Sequence, residues 1–140
     1  MRSITQVDST LWALISRLKD VDLQTPHTAK NKWFRIDSIN ENAAIITPRG
    51  GAHPITLRRA AFQQTLDYLH QHRHVGESRA ITIQSNKTPT DAGPLCQAAR
   101  RQPNGKMGDR TITYILPILE RCNAVGINHL ITPTSTWLIA

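Results

Sequence analysis

The chain has 140 residues, 39% hydrophobic and 19% charged, and its 17 Lys and Arg against 10 Asp and Glu give a formal charge of +7. A chain near the common domain size of roughly 100–150 residues buries a core without a disulfide framework or a structural metal, and two cysteines fit that reading. The longest apolar runs, such as Tyr114 to Leu116, fall far short of the roughly 18 residues a bilayer span needs, and no signal-like apolar region follows Met1; a cytoplasmic protein without membrane contact is expected.

Elements follow in chain order. Asp8, Ser9 or Thr10 can cap a first helix in which Leu11, Leu14, Ile15, Leu18 and Val21 recur at helical spacing. Gln24 to Asn31 is polar, contains Pro26 and reads as a loop. From Trp33 the period becomes two, with Phe34 and Ile36 opposite Arg35 and Asp37; Asn40-Glu41-Asn42 turns the chain into a strand over Ala43 to Thr47. Gly50-Gly51 allows a second tight turn, and Pro54 to Leu57 returns as a third strand.

Arg58 to Arg73 resumes helical spacing, with Ala61, Phe62, Thr65, Leu66 and Leu69 on one face. Gly76 stops it, Ala80 to Gln84 reads as a short strand, and a helix from Asp91 or Ala92 to Arg101 carries Pro94 in its first turn. Gln102 to Gly108 is a linker. Asp109 is then the expected cap of a further helix whose Ile112, Ile115, Leu116, Ile118, Leu119 and Cys122 share one arc, while Arg110, Thr113, Tyr114, Pro117, Glu120 and Arg121 share the other. Pro117 is expected to kink or divide that helix. Ala124 to Ile131 and Thr136 to Ile139 read as a closing hairpin across Thr132 to Ser135. The fold class is α+β: residues 1–57 form a helix plus a small antiparallel meander, and residues 58–140 a second part packed with it as one unit.

From Arg58 onward the order is helix, strand, helix, turn, helix and two-stranded hairpin, and in this order the chain resembles a winged helix-turn-helix. The linker before the last helix is longer than the usual turn of about 3–4 residues. The resemblance implies that the third helix of that unit enters the major groove, that the hairpin serves as a wing, and that phosphate contacts come from the second helix and its surroundings. More faintly, Ala92-Gly93-Pro94-Leu95-Cys96 and Ile112 to Leu119, together with Trp33-Phe34-Arg35-Ile36, look like small modules found with bacterial restriction or mobile-element proteins.

Most of the positive excess falls after residue 56, much of it in Arg100, Arg101, Lys106, Arg110 and Arg121, which face only Asp109 and Glu120 in sequence. Such a patch supplies phosphate contacts, although the same composition also keeps a domain soluble. Seven aromatic residues offer little material for single-strand stacking platforms, so duplex DNA suits the charge better. Arg100, Arg101 and Lys106 are the candidate phosphate contacts; Arg110, Thr113, Tyr114 and Arg121 are the candidate base-reading face; His129 and Thr134 belong to the wing. The ordinary reading of that face is the solvated side of an amphipathic helix.

His70, His72 and His74 lie two apart and so point in different directions on a helix; only His70 and His74, four apart, could form a metal pair if the helix persisted, and with three ligands needed the tract reads as a solvated helix end. Cys96 and Cys122 read as small buried hydrophobes, Gly50-Gly51 lacks the Lys of a phosphate loop, and the acids are scattered; no catalytic site, metal or cofactor is expected. The expectation is a non-enzymatic double-stranded DNA-binding protein reading sequence or base modification. The alternative is a protein-interaction module or accessory subunit of a restriction, defence or mobile-element complex. A homodimer is compatible with either.

Overall fold

The computed structural model describes residues 3–51 and 53–140; Ala52, in the turn expected after Gly50-Gly51, lies outside them. Asp8 is the cap of α1 (Ser9–Ser16), its carboxylate accepting from the Leu11 amide at 2.9 Å and satisfying one of the first-turn donors that have no helical partner. The helix buries Leu11, Trp12 and Ile15. Trp12 stands edge-on to Phe62, with ring centres 5.5 Å apart, and donates its indole N–H to the Asn40 carbonyl, so one side chain ties α1 to both neighbouring elements.

The stretch expected to be a loop is more ordered than its composition suggests. Leu23–Gln24 forms a short β1, Thr28–Lys30 a 3-10 turn, and Asn31 takes a left-handed conformation with φ 52°. Strands β2 (Trp33–Ile39), β3 (Ala43–Pro48) and β4 (Ile55–Arg58) complete an antiparallel sheet in the order β1-β2-β3-β4, with a register irregularity between Ile36 and Ser38. Helix α2 (Arg59–Gln71) buries Ala61, Phe62, Thr65, Leu66 and Leu69, the five residues of its expected apolar face.

The second half contains β5 (Ile81–Thr82), α3 (Pro94–Arg100), α4 (Ile112–Arg121), β6 (Val125–Asn128) and β7 (Ser135–Leu138). Its sheet has the order β5-β7-β6, both pairings antiparallel. A single apolar cluster runs from Trp12 and Phe34 through Phe62 and Leu66 to Leu95, Ile115 and Leu138, joining the meander to the second half. The architecture is α+β. Among the described residues, no helix is long and apolar enough to cross a membrane.

Helix α4 departs from expectation at three points. Its N-cap is Thr111, which makes no side-chain capping bond, whereas Asp109 lies exposed two residues earlier. Pro117 sits inside one uninterrupted helix: the missing amide removes the donor that the Thr113 carbonyl would meet one turn on, but flanking residues keep the backbone helical. Pro117 is also buried, not solvated. The reason is tertiary, since the meander covers part of the face assigned to solvent and Tyr114 packs edge-on against Phe34 with ring centres 5.1 Å apart.

In the β6–β7 ladder Gly126 lies opposite Trp137, whose indole occupies the space where a side chain at 126 would begin. Gly126→Ala is therefore expected to displace that ring and destabilise the fold by about 1–3 kcal/mol, the usual cost of overpacking, as read by urea denaturation followed through tryptophan fluorescence.

Candidate nucleic-acid interface

A cleft of about 550 Å³ opens between the meander and the second half. One wall comes from the segment after β1 (His27, Lys30), the start of β2 (Lys32, Trp33) and the turn after β3 (Arg49). The other comes from Ser85 beyond β5, from Arg110, Thr113 and Tyr114 at the start of α4, and from Thr132 and Thr134 in the β6–β7 loop. The 3-10 turn ends at Lys30 in the first wall, and the first turn of α4, without a side-chain cap, carries Thr113 and Tyr114 in the second.

The cleft is cationic. Among the described residues, no carboxylate lines it, and Lys30, Lys32 and Arg110 form no salt bridge. Arg49 is partly matched: it lies 3.4 Å from Asp22, which also accepts from Arg35 at 2.6 Å. The hydrogen bond from Arg35 holds the Asp22 carboxyl below its ordinary value, although both partners are exposed and such pairs contribute little to stability. The Arg49 guanidinium also lies over the Trp33 ring, 5.6 Å from its centre, and the Trp33 indole donates to Asn31 at 2.7 Å. The Ser85 hydroxyl is buried in the wall without a hydrogen-bond partner.

Four of the nine residues expected to contact DNA meet in this cleft: Arg110, Thr113, Tyr114 and Thr134. Arg101, Lys106 and Arg121 are exposed but do not line it. Arg100 requires a correction. It is 4% exposed, and its guanidinium donates to the carbonyls of Gly108, Asn86 and Lys87 at 2.9, 2.7 and 2.9 Å. It is a loop clamp, not a phosphate contact, because a buried cation must spend its donors on internal acceptors. The basic run from Arg100 to Arg121 consequently does not form one surface.

His129 also faces inward. Its Nδ1 lies 2.9 Å from the Pro26 carbonyl and its Nε2 2.7 Å from the Glu120 carboxylate, so it braces the β6–β7 hairpin against the segment after β1. Partial burial alone would lower its pKa, but the Pro26 carbonyl and the Glu120 carboxylate together outweigh that and raise it. Both neighbours are acceptors, which favours the form with two N–H donors.

The contributions of His27, Lys30, Lys32, Trp33 and Arg49 were not apparent in the sequence, where the cluster beyond Arg100 dominates the charge. The local signal is the interleaving in Lys30-Asn31-Lys32-Trp33, just before a strand. At the end of α2, His72 and His74 stack with Tyr68, the His72 and Tyr68 ring centres 4.2 Å apart, and His74 is bonded to the Arg79 carbonyl. Among the described residues, no group of three or more His, Cys, Asp or Glu could hold a metal. Cys96 is fully buried, and burial pushes the Cys122 thiol up to about 11, where little nucleophilic thiolate exists at neutral pH. No protein family, curated protein or solved structure matches the chain.

Replacing Arg100 by Met is expected to strand three carbonyls and cost about 1.5–3 kcal/mol, whereas the exposed Lys106→Ala should stay within about 0.5 kcal/mol of wild type in the same urea titration. The His129 contact predicts a pH dependence. A pKa raised on folding contributes stability that is complete below the unfolded value of about 6.5 and is lost as pH rises through the higher folded value. Thermal midpoints should fall as pH rises above about 6.5, and Glu120→Gln should flatten that fall.

Proposed function

We propose that this chain is a non-enzymatic double-stranded DNA-binding protein of winged-helix-like build, and that the cationic cleft is its contact surface. The observation that carries the reading is the gathering of Lys30, Lys32, Arg49 and Arg110 around Thr113, Tyr114 and Thr134 with no lining carboxylate among the described residues. Lys30, Lys32 and Arg110, which have no internal ion-pair partner among the described residues, concentrate a polyanion and release its counterions on contact, while the hydroxyls and aromatic rings between them can address a base. The order of elements from α2 onward, with β5 joined to the β6–β7 hairpin in one sheet, supports the winged-helix resemblance.

The mode of contact differs from insertion of a whole helix face. Six of the ten residues of α4 are buried, and only its first turn opens on the cleft, with exposed Arg121 at its far end. Phosphate holding falls to Lys30, Lys32 and Arg110, and base discrimination to Thr113 with its neighbours. The interaction-module reading rests on a different observation, the exposed Leu130 and Ile131 in the β6–β7 loop, which would suit a partner in a restriction, defence or mobile-element complex.

Fluorescence anisotropy with a labelled duplex tests the proposal. Binding should weaken with salt at a log–log slope of about −0.9 per phosphate contact, and Lys30→Ala or Lys32→Ala should each reduce that slope by about one on every sequence. Thr113→Ala should instead flatten the preference within a randomised duplex pool, at roughly 1–3 kcal/mol for a good base contact. Binding absent at about 50 mM salt, or unchanged up to about 200 mM, would remove the electrostatic mechanism.

A further inference from the structure

We propose that the cleft receives a single nucleotide turned out of a DNA duplex, and that Leu130 and Ile131 enter the gap it leaves. The inference rests on the duplex-binding reading and specifies how bases reach the site. Thr113 and Tyr114 lie inside a cavity walled by the meander on one side and by α4 with the β6–β7 loop on the other. Because the buried face of α4 cannot be laid in a groove, a base edge can meet these side chains only by coming to them. A paired and stacked base cannot do so, whereas an extruded one can.

The cavity suits such a guest in size and chemistry. Its volume of about 550 Å³ falls within the range of roughly 300–1,000 Å³ typical of small-ligand clefts. The Trp33 ring with the Arg49 guanidinium over it is the kind of planar pair on which an unstacked base rests. Lys30, Lys32 and Arg110 supply charge for the flanking phosphates.

The second half of the device is the β6–β7 loop. Leu130 is 94% exposed and Ile131 59%, and they precede Thr132 to Thr134, which form the rim of the cleft. The Leu130 amide donates to the Asn128 side chain at 3.1 Å, which holds the backbone at the start of the loop. Large aliphatic side chains presented beside an anion-binding cleft fit a wedge between base steps, because they occupy the apolar space left by a departed base and compensate its lost stacking.

The test uses the full chain with two duplexes that differ at one position, which carries 2-aminopurine paired with thymine in the first and mispaired with cytosine in the second. Unstacking costs less at a mispair, so the mispaired duplex should bind about tenfold more tightly, with a severalfold rise in 2-aminopurine fluorescence on binding. Leu130→Ser, at a site exposed enough to leave the fold intact, should diminish both the preference and the fluorescence rise. Equal affinity for the two duplexes with unchanged fluorescence would overturn the extrusion while leaving duplex binding standing. A full fluorescence rise in Leu130→Ser would overturn the wedge. Failure to bind either duplex at low salt would overturn the duplex-binding reading itself.

Discussion

The placement of α4 constrains the rest of the molecule. An amphipathic helix ordinarily commits one face to a core and leaves the other to water. Here the meander also takes part of the second face, through Tyr114 on Phe34, and Ile112, Ile115 to Leu119 are all buried, Pro117 among them. A proline is tolerable in that setting because packing on several sides holds the helical path that the lost hydrogen bond would otherwise support. The same enclosure confines the helix's outward chemistry to Arg110, Thr113 and Tyr114 at one end and Arg121 at the other.

Charge in this protein acts through two physical regimes. Arg100, almost wholly removed from water, binds three carbonyls and organises the segments on either side of α3. Lys30 and Lys32 are exposed and have no salt-bridge partner among the described residues, so their fields extend into solvent and fall off over a Debye length of about 8–10 Å. A count of basic residues treats the two kinds alike. Their consequences are opposite: removing the first leaves unsatisfied acceptors inside the protein, and removing the second changes only what the protein attracts.

This distinction explains which features were legible in the sequence. The α1 cap, the β2–β3 hairpin and the buried face of α2 follow from local periods and turn residues and lie close to their expected bounds, whereas the closing hairpin forms with a first strand of Val125–Asn128 in place of the expected Ala124 to Ile131, leaving Leu130 and Ile131 in the loop. The two-residue β1 is too short to show alternation and exists through its pairing with β2. The cleft was half legible: the amphipathic arc marked Arg110, Thr113 and Tyr114, whereas Lys30, Lys32 and Arg49 join them only through the packing of the meander on α4, a long-range contact without a local signature. For the same reason the charge pattern marks Arg100 as a phosphate contact and the order of elements puts His129 in the wing, whereas internal acceptors engage both side chains.

The walls of the cleft are joined by contacts that leave its cations free. Phe34 and Tyr114 hold the meander to α4, while His129, bonded to Pro26 and Glu120, links the β6–β7 hairpin both to the segment after β1 and to the C-terminal turn of α4. Neither set of bonds uses the cations that face the cavity, so the cleft can keep its shape whether or not an anion neutralises them. A site held open by its surroundings meets a ligand without first ordering its own walls, and the entropy of ordering is a large part of what association costs. The β6–β7 loop is the exception. Its exposed Leu130 and Ile131 gain little from the folded protein in isolation, and their burial would come only with a partner. The fold thus separates a recess, walled by elements that share the core, from an exposed apolar tip at its edge.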